Sequence, residues 1–296
     1  MDFQQIRMED RDWISELLAM EDSRSCDYDF TNLLIWDYFY RKQGFRLNHR
    51  LLLRVNFSPE VYYIWPVGSG DLKPAIDFMK QNAACLNIPL RIYGLEQHHV
   101  EQLHACYPGE FDIQPVPEHF DYLYDIEKMC TLSGRQLHGK RNHLNRFIEK
   151  YQWSFEPITE TNLPEARDMI KKWFLSSEMN ASDLLDEKLA IDLACQHYHS
   201  LQLDGGLIRI DGVVCAVTIG NLISSDTFCV HFEKALREIE GGYTAINYEF
   251  SNYIHNKYPF VRFLNREDDL GIESLRKAKH SYYPEIILEK YTALLI

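Results

Sequence analysis

The stretch "TFCVHFEKALREIEGGYTAINYEFSNYIHNKYPFVRFLN", residues 227–265, decides the fold. Its first nine residues are rich in aromatic and β-branched types and read as a strand, and Gly241-Gly242 breaks the chain into a loop. Tyr243, Ile246, Phe250 and Tyr253 then recur at helical spacing, so they form the core stripe of a helix, and "FVRFLN" is a second strand. From Gly242 to Phe260 the crossover is about 20 residues, ample for the helix that joins two parallel strands.

The same order occurs earlier in the chain. "VYYIWPV" (61–67) leads through "GSGD" to a helical segment, "LKPAIDFMKQNAACLN", and then to the strand "LRIYGL" (90–95). Before it lies the strand-like "RLLLRVN", joined by a polar loop containing Pro59. In the second half "LIRIDGVVCAVTIG" (207–220) places Asp211-Gly212 between apolar runs, a tight-hairpin signal. Two tandem α/β (α+β) domains are therefore expected, each a mixed sheet flanked by helices: 1–130, then a connecting helix over 131–151, then 152–296. In the connecting helix Leu137, Leu144, Ile148 and Tyr151 form an apolar stripe, and Ser133 with Gln136 fits a capping box. The last run, "EIILEKYTALL", reads as the final strand of the second domain.

A chain of 296 residues with 46% hydrophobic and 25% charged residues is a folded globular protein, not a disordered one. The first residues carry acids where a signal peptide needs bases, and no stretch of about 20 apolar residues follows, so a cytoplasmic location without a membrane span is expected. Seven scattered cysteines without a CxxC pair read as reduced thiols. A net charge of −13 argues against wholesale binding of DNA or an anionic membrane. Residues 131–150 run against this: Arg135, Lys140, Arg141, Arg146 and Lys150 face one acid, Glu149, enough to attract an anionic substrate or an RNA end.

Candidate site residues cluster at strand ends, where open α/β sheets bind ligands. Asn265, Arg266, Glu267 and Asp268 follow "FVRFL", and a carboxylate there can act as base or substrate ligand. The acids and bases of "LNREDDLGIESLRKAKHSYYP" (264–284) are also ordered as a helix dipole favours, with Asp268 and Asp269 at its start and Arg276, Lys277 and Lys279 at its end. Gly241 and Gly242 open a helix after a strand, with Arg237 nearby, the geometry in which backbone N–H groups hold an anion. Cys195, His197 and His199 lack a second ligand pair, so no metal site is expected, and no zinc-protease, serine-hydrolase or P-loop motif occurs.

The order of hairpin, strand, loop, helix, strand and polar helix resembles the GNAT acyltransferase fold, and its duplication resembles the tandem-GNAT architecture of Fem-type aminoacyltransferases. The strings "DYDFTNLLIW" (27–36), "SGRQLHGKRNHLNRF" (133–147), "FEKALREIEGGYTAINYEF" (232–250) and "LNREDDLGIESLRKAKHSYYP" look like those of an uncharacterised bacterial family related to the C-terminal domain of phosphatidylglycerol lysyltransferases. The resemblance implies transfer of an acyl or aminoacyl group from acyl-CoA or aminoacyl-tRNA to an amine or hydroxyl of a small-molecule acceptor, with no permanently bound cofactor and with tRNA as a partner in the second case. In GNAT enzymes the donor's pyrophosphate sits on a loop of the form [QR]xxGx[GA]. Arg237 and Gly242 match two of its positions, and Glu240 replaces the first glycine. By the same resemblance Glu267 or Asp268 is the base, Tyr282 or Tyr283 the acid, and Arg276 and Lys279, three apart on one helical side, hold an anionic group, with Lys140 and Arg141 on the basic helix meeting an RNA acceptor end. A non-catalytic protein that keeps the fold to hold a small polar ligand or an RNA end is the alternative, favoured by Glu240.

Overall fold

A computed structural model describes residues 3–57, 60–176 and 181–296; Pro59 lies outside them. The strands are β1 (Gln4–Gln5), β2 (Gln43–Leu47), β3 (Arg50–Phe57), β4 (Glu60–Gly68), β5 (Arg91–Leu95), β6 (Phe111–Pro115), β7 (Asp121–Asp125), β8 (Trp153–Pro157), β9 (Asp204–Ile210), β10 (Val213–Leu222), β11 (Thr227–Ala235), β12 (Phe263–Asn265), β13 (Ile286–Leu288) and β14 (Tyr291–Leu295). They form two seven-stranded mixed sheets, ordered β1-β2-β3-β4-β5-β14-β6 and β13-β7-β12-β11-β10-β9-β8. In each, one strand–helix–strand unit supplies the parallel pair, β4 with β5 around the helix Lys73–Cys85, and β11 with β12 around the helix Gly242–Lys257.

The Asp211-Gly212 hairpin forms as its sequence implies. Both residues take positive φ, 49° and 82°, which a two-residue turn matched to the strand twist requires. The final run is not one strand. It divides into β13, at the edge of the second sheet, and β14, inserted between β5 and β6 of the first. The second sheet in turn takes β7, from the first half of the sequence, against β12. The compact units are therefore discontinuous in sequence, 1–121 with 268–272 and 288–296, and 122–267 with 273–287, an exchange that a linear division at 130 and 152 does not express.

The basic segment is helical over His138–Lys150, with Leu137 at its N-cap and no side-chain cap bond. Leu144 and Phe147 are its buried positions, and Ile148, expected in the stripe, is 46% exposed. Phe147 takes that place, its ring packed at a tilt against Trp153 and Tyr151. The helix expected from Asp268 onward begins only at Glu273 (Glu273–His280); before it, Asp269 closes a turn by accepting from the Gly271 N–H at 2.9 Å. Among the described residues no helix is long and apolar enough to cross a membrane.

In the first unit β14 is preceded by a fully buried cation. Lys290 Nζ lies 2.8 Å from Asp121 Oδ1 and 2.8 Å from Asp27 Oδ2, and Asp121 also accepts from the Cys26 backbone N–H at 2.9 Å. Burial raises the Asp27 pKa, but the Lys290 charge and hydrogen bond outweigh it and hold the carboxyl below its usual range. A buried pair stripped of one member leaves an uncompensated charge, so Lys290→Met is expected to lose about 3–5 kcal/mol in urea unfolding. Because the Asp27 pKa is depressed, the wild-type contribution is present above the ordinary carboxylate pKa and is lost as pH falls through the folded value, so the gap between the two proteins is expected to narrow in acid.

Candidate functional site

In the second unit β11 and β12 pair in parallel only from Thr227 opposite Phe263 to Cys229 opposite Asn265. There β12 ends, while β11 stays on β10 as far as Ala235 opposite Ala216. The two parallel strands part beyond Cys229 and Asn265. Within β11, Phe232 faces Ile219 and Val230 faces Gly220, so His231 is an extra residue, a bulge. Val230 and Ala235 both belong to the core cluster that includes Ala245, Ile246 and Phe250 of the 242–257 helix, so the bulge has inverted the side-chain alternation. Glu233 is thereby brought to the helix side, where Asn247 Nδ2 donates to its Oε2 at 3.2 Å. Opposite the bulge only glycine fits: a Cβ on Gly220 would stand 1.9 Å from the Cys229 carbonyl oxygen.

Four more side chains gather around Glu233. Arg266, just past the end of β12, pairs with it at 2.7 Å, and its guanidinium lies 5.2 Å from the ring centroid of Tyr282 and 5.8 Å from that of Tyr124 on β7. Lys140 reaches from the basic helix to place Nζ 3.8 Å from the Tyr282 centroid. Burial, helped by the Arg266 charge and opposed by Glu233, pushes the Lys140 pKa down to about 8, and among the described residues no carboxylate forms an ion pair with it. Burial raises the Tyr282 pKa against the opposing Arg266 charge, so its phenol stays protonated, and its hydroxyl lies 3.5 Å from Thr244 Oγ1.

A second group lies at the same strand ends. His231 Nδ1 is 2.7 Å from Glu267 Oε1, and its Nε2 is 2.5 Å from Asn221 Oδ1. Cys229 Sγ lies 3.7 Å from His231 Nδ1 and 3.8 Å from Glu267 Oε1. Glu267 has φ +57°, uncommon for a residue with a side chain. Asn265 holds it there, accepting its backbone N–H at 2.6 Å, as does Lys279, whose amine donates to the carbonyls of Arg266 and Glu267.

Of the residues singled out in the sequence, Lys140 and Tyr282 meet, and Asn265 and Glu267 meet. Lys279 is buried, and its amine donates to those two carbonyls. Asp268 belongs to the first unit, where it pairs with His119 at 2.9 Å. Arg276 is half-buried on the 273–280 helix, and Arg237 is exposed. Arg141 donates to the carbonyls of Leu132 and Gly134 and so fastens the turn before its own helix. Gly241, φ +79°, lies against that helix, since a Cβ there would stand 2.7 Å from the His143 carbonyl oxygen. Gly242 begins the 242–257 helix over Ala235 and Ile239, and Glu240 pairs with Lys150 at 3.2 Å and Arg146 at 3.8 Å. Glu233 and His231 escape sequence reading. Their only signal is polarity inside the strand "TFCVHFEKA", which is invisible without the bulge.

A family model described as "Phosphatidylglycerol lysyltransferase, C-terminal" matches residues 19–294. A conserved protein of unknown function from Bacteroides thetaiotaomicron VPI-5482 is 35% identical, with a TM-score of 0.92 over 100% of both chains. FemX is 9% identical with a TM-score of 0.61, covering 100% of this chain and 98% of its own, a likeness of fold. Both sheets with their helices are accordingly the tandem GNAT-like architecture. The uncharacterised protein MYCGA3080 of Mycoplasmoides gallisepticum is 27% identical over 199 residues, 64% of this chain and 60% of that protein's length.

The His119–Asp268 pair is open to direct titration. Burial lowers the His119 pKa, but the Asp268 hydrogen bond and charge outweigh it, so the imidazole is held above its ordinary value. The stability this pair adds is present below the unfolded imidazole pKa and lost as pH rises through the folded one. In NMR titration of the ring protons Asp268→Asn is expected to lower the His119 midpoint, and an unchanged midpoint would remove the pair from the account.

Proposed function

Because this chain belongs to the phosphatidylglycerol lysyltransferase C-terminal family, we propose that it transfers an aminoacyl group at the parted ends of β11 and β12 in the second unit. The observation that carries this reading is Lys140, an amine with a pKa of about 8, set over Tyr282 and beside the Arg266–Glu233 pair. Acyl transfer to a hydroxyl or amine must remove a proton from the attacking atom, stabilise the oxyanion, and return a proton to the leaving oxygen. An amine with its pKa near the working pH is suited to the first step when neutral. The protonated Tyr282 phenol serves the last, and Arg266, charged and desolvated, offers N–H donors to the oxyanion.

Glu267 and Asp268, the bases expected from sequence, are engaged by His231 and His119, so proton removal passes to Lys140 in this scheme. Aminoacyl-tRNA is favoured over acyl-CoA as donor by the 236–241 loop. Glu240 stands at its first glycine position and pairs with Arg146 and Lys150, and the basic helix covers Gly241, so the backbone that would cradle a pyrophosphate is occupied. The family description makes a phosphatidylglycerol hydroxyl the first acceptor to try.

Purified protein with radiolabelled lysyl-tRNA and phosphatidylglycerol vesicles is expected to move label into lipid, and the rate is expected to rise with pH through about 8 as Lys140 loses its proton. Lys140→Met is expected to lower the rate by about 10²–10⁴-fold and abolish that limb. A rate that falls across the same range would make Lys140 an anion-holding cation instead. Thermal stabilisation by charged tRNA without transfer from any aminoacyl-tRNA or acyl-CoA would make the protein a binder.

A further inference from the structure

The group at Cys229, His231 and Glu267 has no part in that transfer scheme, and its three ligand-type atoms lie within 4.8 Å of one another. We propose that it is a zinc site with three protein ligands, Cys229 Sγ, His231 Nδ1 and Glu267 Oε1, and a fourth position open on the partly exposed Glu267 side.

The histidine tautomer is the first support. Asn221 Nδ2 donates to the Leu222 carbonyl at 2.9 Å, which turns Asn221 Oδ1 toward His231 and fixes the proton on Nε2. The Nδ1 lone pair is thereby directed at Glu267 and Cys229. A ring N–H held by an outer partner is what orients a metal-binding imidazole. A similar trio in the first unit, Glu21, His98 and His99, lacks this arrangement. There His99 Nδ1 accepts the Glu96 backbone N–H at 3.0 Å, so the ring proton sits on Nε2, the atom facing Glu21 at 2.7 Å. A metal at that nitrogen would have to displace the proton and leave the Glu96 N–H facing another donor.

Distances are the second support. Around a tetrahedral zinc, with a Zn–S bond of about 2.3 Å and Zn–N and Zn–O bonds of about 2.0–2.1 Å, sulfur stands about 3.6 Å from the other two ligand atoms, which stand about 3.4 Å apart. The sulfur separations, 3.7 Å to nitrogen and 3.8 Å to oxygen, are already near these. The nitrogen and oxygen are 2.7 Å apart because a proton bridges them, and they need open by only about 0.7 Å when it leaves.

Charge is the third. Before binding the group is neutral, a thiol with a protonated imidazole and a carboxylate or their neutral tautomers. Binding releases two protons, the thiol's and the bridging one, and Zn²⁺ with one thiolate, one carboxylate and one neutral imidazole is neutral again. A nearly buried site gains no net charge. Strand geometry supplies the arrangement: Cys229 and His231, two apart on β11, share one face, while Asn265 and Lys279 hold the backbone of Glu267 toward them.

The test is metal binding, which reads independently of any transfer. Wild-type protein stripped with EDTA and dialysed is expected to take up one Zn²⁺ per chain by elemental analysis, with a rise in melting temperature on adding ZnCl₂. Loaded with Co²⁺ instead, it is expected to show a thiolate-to-cobalt charge-transfer absorption. Cys229→Ser is expected to lose that absorption, and Glu267→Gln to weaken uptake, with melting curves in EDTA confirming that each variant folds. No Zn²⁺ or Co²⁺ uptake by the wild type, or a charge-transfer band that survives in Cys229→Ser, would overturn the proposal. If Cys229→Ser does not fold, wild-type stoichiometry and Glu267→Gln decide the matter by the same readings.

Discussion

One extra residue in the register of β11, His231, governs the arrangement of the second unit's site. An antiparallel pair with no extra residue would keep strict alternation along β11 and put Glu233 on the face away from the 242–257 helix. The bulge reverses this, so the acid meets Arg266 and Asn247, while His231 itself faces Glu267 and Asn221. Gly220 is the companion requirement, since any side chain there would strike the backbone of Cys229.

The buried charges depend on that placement. Arg266 is largely buried, its side chain 17% exposed, and a guanidinium in such a position persists only with a paired acid and aromatic faces around it. Glu233, Tyr124 and Tyr282 provide these. Desolvation, reinforced by the positive charge so fixed, is what depresses the nearby Lys140. The neighbouring amine therefore differs from the exposed bases of its own helix, of which Arg146 and Lys150 are occupied by Glu240. A stripe that looks uniform in sequence contains one chemically distinct residue.

The first unit shows the same economy in its core. Lys290 stands at the entrance to β14 and is neutralised by Asp27 and Asp121, residues far from it in sequence but close in space. The ion pairs fix where the last strand enters the sheet, and the antiparallel pairing of β14 with both β5 and β6 satisfies its backbone on both sides.

The sequence by itself determined the element order: the two strand–helix–strand units, the Asp211-Gly212 turn, the flanking helices and the mixed sheets all rest on local periodicity and turn chemistry, which act over a few residues. It also singled out Asn265 and Glu267, because polarity beside an apolar run is visible in one dimension, and Lys140 through the excess of bases in 131–150, whereas Tyr282 came with the family resemblance. The tertiary structure decided that β7 and β14 each join the sheet built mainly from the other half, since strands pair by edge hydrogen bonding without regard to separation along the chain. It decided too that Glu240 and Lys279 are spent on internal partners and that Glu233 and His231 are not ordinary strand residues. A bulge is a misfit between two strands, and a register between strands is written in neither of them alone.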